Sequence, residues 1–135
     1  MDEKQKKKFV TFRDNWVKGK LRQMSIRWPE ASEAKKSARK ARGQYECAMC
    51  KGLFKDDQIH RDHRDPIIPV TGAPKQANGA LDFNSWIERC FIYRTEYSIL
   101  CVQCHKAKTE MEDQMRVFYG DKKREEKKKK LKKEK

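Results

Sequence analysis

Long apolar runs are missing from this 135-residue chain. No stretch approaches the roughly 20 consecutive apolar residues of a membrane-spanning helix, so no membrane contact is expected. The charged N-terminus is not followed by a hydrophobic segment, so no secretory signal is expected either. Acidic side chains are few, 20 against 34 lysines and arginines, which leaves a net charge of +14. No internal repeat is visible, which argues against a solenoid. The cysteines number five, an odd count that a closed disulfide framework would not use completely.

The excess charge is uneven. Residues 1–44 carry 14 basic and 5 acidic side chains, and residues 121–135 carry 10 and 4. The middle, residues 45–120, holds 10 basic and 11 acidic side chains and all the cysteines. A near-neutral centre between two basic ends suits a polyanion partner, because each phosphate neutralised releases condensed counterions. A solvated basic surface with no specific partner is the plainer reading of any single charge run.

Four cysteines fall into two Cys-x-x-Cys pairs, Cys47/Cys50 and Cys101/Cys104. Such knuckles are expected to supply four thiolates to one structural zinc. Thiolates on zinc fit a reducing compartment, and a soluble cytoplasmic protein is the expectation. Cys90 remains, within an apolar stretch from Trp86 to Ile92, and reads as a small buried hydrophobe. The central segment is too short for a generous core, so zinc binding is expected to supply folding energy.

The fold class expected is α+β. Phe9, Phe12 and Trp16 recur at helical spacing and predict an amphipathic helix over roughly 8–24, with the aromatics as its packing face, weakened at Gly19. Pro29 opens a second helix with an alanine stripe at 31, 34, 38 and 41 and a stop at Gly43. These form a basic N-terminal helical arm, 1–44. A strand from Tyr45 enters the first knuckle, with Gly52 supplying the turn, and residues 58–63 form a short strand ended by Asp65-Pro66. Residues 71–79 read as a loop. Asp82 or Asn84 caps a short helix that turns Trp86, Ile87, Cys90 and Phe91 inward. Residues 97–100 form a second strand, and a helix begins around Cys104. Beyond Gly120 one apolar residue, Leu131, interrupts a Lys/Glu-rich tail, 121–135, for which frayed helix and disorder are both open.

Between the knuckles lie Asp62-His63, and His105 directly follows the last cysteine. The order Cys47-x-x-Cys50, Asp62-His63-x-x-Pro66, Leu100-Cys101-x-x-Cys104-His105-x-x-Lys108-Thr109 resembles the HNH endonucleases of the ββα-metal (His-Me finger) fold, in their zinc-knuckle, phage-like form. The resemblance covers about residues 45–109 and implies a nuclease domain over 45–120, stapled by zinc. It implies His63 as general base, with Asp62 and His105 holding one divalent cation, Mg²⁺ or Mn²⁺, on a scissile phosphate. DNA is the implied partner, and a phage-encoded member would work in the host-cell cytoplasm.

The chemistry of these residue types agrees. An imidazole titrates near working pH, and carboxylate plus imidazole is a metal-competent pair. Lys108, one turn beyond His105, is placed to touch the same phosphate. The family's asparagine before the third cysteine, which orients the histidine, is replaced here by Glu96, so that a glutamate carboxylate or a backbone carbonyl takes that part. Asn78 and Asn84 are alternatives. His60 shares the strand face of Asp62 and reads first as an exposed polar residue, second as a further metal ligand. Two other functions compete: a non-catalytic zinc module that binds nucleic acid, and an accessory protein that docks a phage packaging or recombination partner. Oligomeric state, strand outcome and sequence preference are not encoded in these motifs.

Overall fold

A computed structural model describes residues 1–134. It is an α+β arrangement of four α-helices and two small antiparallel sheets. Helix α1 spans Glu3–Ser25 and starts a turn earlier than the aromatic spacing predicts. Asp2 is the reason: its carboxylate accepts from the Gln5 N–H at 2.8 Å while the Gln5 side chain accepts from the Asp2 N–H at 3.0 Å. The expected packing face is not a packing face. Phe9, Phe12 and Trp16 are 50%, 68% and 58% exposed. The buried residue of α1 is Asp14, which accepts from the Leu81 N–H at 3.1 Å, on the face where Val10, Val17 and Leu21 are half-buried.

Helix α2, Pro29–Ser37, has proline at its first turn, where no N–H is needed. It ends well before Gly43. Residues 39–41 instead form strand β1, which pairs with β2, Gln44–Glu46, and β2 pairs in turn with β3, Leu53–Phe54. The Glu46 N–H donates to the Ala38 carbonyl at 2.9 Å, and Gly43 sits in the β1–β2 turn at φ +71°. Its left-handed conformation therefore serves a hairpin rather than a helix stop. Of the alanine stripe, Ala31 and Ala34 are buried at 3% exposure. They pack with Ile59, Tyr97 and Ile99 into the main core, so α2 is built into the centre of the molecule.

The second sheet carries the chemistry-bearing residues. Strands β4, Ile59–His63, and β5, Tyr97–Cys101, pair antiparallel with Asp62 opposite Ser98 and His63 opposite Tyr97. Between them, residues 71–79 form the expected loop, and helix α3 spans Phe83–Cys90 with Asp82 as its cap. Trp86 and Cys90 are fully buried, as expected, whereas Ile87 is exposed. Helix α4 runs Val102–Lys133, starting two residues earlier than expected because the Cys101 sulfur caps it by accepting from the Cys104 N–H. The helix continues through Gly120 and along the basic tail to Lys133; Lys135, the last residue of that tail, lies outside the described residues. Among the described residues, no helix is long and apolar enough to cross a membrane.

Candidate metal centre and the histidine strand

The first knuckle is a tight turn. The Cys47 N–H donates to the Gly52 carbonyl at 2.9 Å and the Lys51 N–H to the Cys47 carbonyl at 3.0 Å. The left-handed residue in it is Lys51, at φ +62°, not Gly52. Gly52 is required for space instead: a Cβ there would lie 2.9 Å from the Phe54 ring and 3.5 Å from the Cys50 sulfur. The second knuckle is the β5–α4 junction. The Ala48 N–H donates to the Ile99 carbonyl at 2.8 Å and brings the two knuckles together.

All four sulfurs lie within 4.8 Å of one another. A tetrahedral zinc with Zn–S bonds of about 2.3 Å needs sulfurs about 3.8 Å apart, and Cys50 and Cys101 are already at 4.0 Å. The donor set fits a structural zinc. Electrostatics point the same way. Burial opposes ionisation of Cys47, but N–H donors from Cys101, Cys50 and Met49 outweigh it and lower its pKa to about 6. Cys104, hydrogen-bonded to Cys101, further opposed by burial and close to Cys47 and Cys50, is pushed up to about 12. Cys47 and Cys104 are thus driven in opposite directions, and a bound cation would favour the thiolate at both. The fifth thiol, Cys90, has a raised pKa through burial and stands outside the cluster.

Strand alternation divides β4 between two faces. Ile59 joins the α2 core, while His60 and Asp62 meet α4. The His60 ring, on an exposed residue, stacks on His105 with centroids 4.8 Å apart. Asp62 and His105 are thus both on the β4–α4 face, but the group in contact with the Asp62 carboxylate is the Lys108 ammonium, at 2.9 Å. That ammonium also donates to the His63 carbonyl at 2.9 Å and to the Glu112 carboxylate. Burial works against its charge, yet Glu112 and Asp62 outweigh burial and hold the Lys108 pKa above the usual lysine value.

His63 turns to the other face. Its Nε2 donates to the Cys90 carbonyl at 2.8 Å, at the C-terminus of α3, and its ring centroid lies 5.0 Å from that of Tyr97. This bond fixes the proton on Nε2 and leaves Nδ1 as the free acceptor. Glu96 is not the orienting group. It is exposed in a 3-10 turn, and what it gives β4 is a backbone carbonyl that accepts from the Arg64 N–H at 2.9 Å. Asn78 is committed to its own loop, where its side chain accepts from the Ala80 N–H at 3.0 Å. The orienting group is the other alternative expected there, a backbone carbonyl, and that Cys90 supplies it has no residue signature in the sequence. Glu112 was not singled out from the sequence, although its i+4 spacing from Lys108 was the available signal.

Among the described residues, the four thiols are the one group of three or more potential side-chain ligands that converges as a metal site. Comparison with protein-family models, curated proteins and solved structures finds no match.

Proposed function

We propose that this chain is a metal-dependent DNA endonuclease of the HNH type, with a structural zinc held by the four knuckle cysteines. The observation that carries the reading is the state of His63: Nε2 donates to a fixed backbone carbonyl, and the residue directly follows Asp62 at the end of β4. An imidazole held in one tautomer, with its second nitrogen free, is what a general base needs. Tyr97 and the Cys90 carbonyl orient the ring.

Asp62 and His105 are the residues that would hold the divalent cation. The donor chemistry fits, one carboxylate and one imidazole, and a side-chain cation already rests on Asp62. When bound, such an ion neutralises phosphate charge and assists the departing oxygen. DNA is held by the basic ends. Lysines on phosphates contribute affinity without reading sequence.

A second reading has its own support. Because Asp62 is already neutralised by Lys108, the strand can be a salt-bridged scaffold in a non-catalytic zinc module that binds nucleic acid. The experiment that decides is conversion of supercoiled plasmid to open circles with Mg²⁺ or Mn²⁺. Under the nuclease reading, wild type nicks, and chelation abolishes the nicking. His63→Ala then loses nicking while keeping zinc and DNA binding. A zinc-loaded wild type that binds plasmid but never nicks it refutes the nuclease reading, as does a His63→Ala protein that cuts at the wild-type rate.

A further inference from the structure

Lys108 is in an unusual position for a residue expected to contact phosphate. Its ammonium is drawn inward to three oxygens: Asp62 Oδ2 and the His63 carbonyl, both at 2.9 Å, and Glu112 Oε1. The side chains of Lys108, Asp62 and Glu112 are only 18–20% exposed, so these charges are poorly screened by water. The ammonium thus lies against the very carboxylate assigned above to a divalent cation. A divalent cation on this carboxylate would meet a like charge a few Å away, in a place where water screens it poorly.

We propose that Lys108 is the resident counter-cation of Asp62, and that divalent metal binds this carboxylate by exchange with the lysine ammonium. Glu112, one helical turn further along α4, keeps a second hold on the ammonium, so that lysine leaving Asp62 is not released to solvent. The exchanged ammonium becomes available to a substrate phosphate. Metal arrival and phosphate contact by Lys108 are then one event, and the strand carries no uncompensated carboxylate before it. This rests on the reading of Asp62 as a metal ligand and adds the identity of its competitor.

The test uses full-length, zinc-loaded protein and measures metal directly. Mn²⁺ affinity, followed by electron paramagnetic resonance, is expected to be about tenfold or more tighter in Lys108→Met and Lys108→Gln than in wild type, since a unit charge beside the ion has been removed. Lys108→Gln keeps the side-chain length and a hydrogen-bonding head should Lys108→Met fold poorly. A wild-type measurement needs no variant: titration with diamagnetic Mg²⁺ is expected to shift the Lys108 Nζ resonance in step with the Asp62 carboxyl carbon. Folded, zinc-loaded variants that bind Mn²⁺ no tighter than wild type overturn the exchange. So does an Asp62 signal that responds to Mg²⁺ while Lys108 stays still, and in that case the metal reading of Asp62 survives. No metal response at Asp62 in any protein removes that reading and the exchange together. Plasmid nicking plays no part in these outcomes.

Discussion

Removal of a single thiolate at Cys101 tests the zinc assignment most cleanly. Cys101 is the last residue of β5, the cap of α4 and one of the four clustered sulfurs. Serine at that position still accepts from the Cys104 N–H, so Cys101→Ser keeps the helix cap and loses only the metal ligand. Apparent zinc-binding energies of structural sites are about 10–16 kcal/mol. Shared over four thiolates, each is worth about 2.5–4 kcal/mol, or about two to three decades of zinc affinity. A domain of this size is stable by about 5–15 kcal/mol in total. This core is lean, since alanines and cysteines make up much of it and Trp86 and Leu100 are its largest fully buried side chains. Cys101→Ser is therefore expected to bind zinc hundreds of times more weakly and to melt far below wild type. Complete removal of zinc from wild type is expected to abolish the cooperative transition. Elemental analysis of purified protein and thermal melts with and without chelator provide the readings. Cys90→Ala, which changes the one cysteine outside the cluster, keeps its zinc as the control. Wild type free of zinc that still melts cooperatively at an unchanged temperature would refute the reasoning.

Two further outcomes follow from contacts far from the knuckles. Glu30 accepts from the Arg94 guanidinium at 2.8 and 3.0 Å and from its N–H at 3.1 Å, which holds the glutamate below the usual carboxylate range. A depressed folded-state pKa stabilises above the unfolded value, about 4.3, and that contribution disappears as pH falls through the folded value; Glu30→Gln should lower the melting temperature at neutral pH, and the gap from wild type should close in acid. Deletion of residues 121–135, which carry 10 basic and 4 acidic side chains, should leave zinc content unchanged, weaken DNA binding alike for unrelated sequences, and make the salt dependence shallower. An unchanged slope of log affinity against log salt would show that the tail does not touch DNA.

The sequence made the two strands, the knuckles and the α3 cap legible, because each rests on local chemistry: alternation, Cys-x-x-Cys spacing, an aspartate before an apolar turn. It failed where hairpin pairing overrode a helical period. The alanine spacing of α2 continues through Ala38 to Ala41, but residues 39–41 pair with residues 44 and 45 across the turn at Gly43. It failed again at α1, where helical aromatic spacing normally marks a buried face. There the buried position is an aspartate on a loop N–H, a bond that reaches across 67 positions, flanked by half-buried Val10, Val17 and Leu21 rather than by the aromatics. At the histidine strand a backbone carbonyl was among the expected partners of His63, but neither its owner, Cys90, nor the Glu112 carboxylate on Lys108 was singled out.

Helix α4 links the two halves of the proposed function. Its cap, Cys101, and its first turn, Cys104, belong to the thiol cluster, and His105 is the next residue. Each helical residue advances the side-chain direction by about 100°, so the knuckle that holds Cys104 also fixes where His105, Lys108 and Glu112 meet β4. Further along, Arg116 donates to the Ile68 carbonyl at 3.2 Å and Lys123 to that of Thr71, which ties the helix to the loop after Asp62-His63. A rotation of α4 by even one residue would take Lys108 off Asp62 and His105 off His60. A zinc held by this cluster would therefore do more than stabilise a small domain. It would set the rotation of the helix against which the histidine strand is assembled, and any activity of that strand should be lost with the zinc even though zinc would have no part in the reaction.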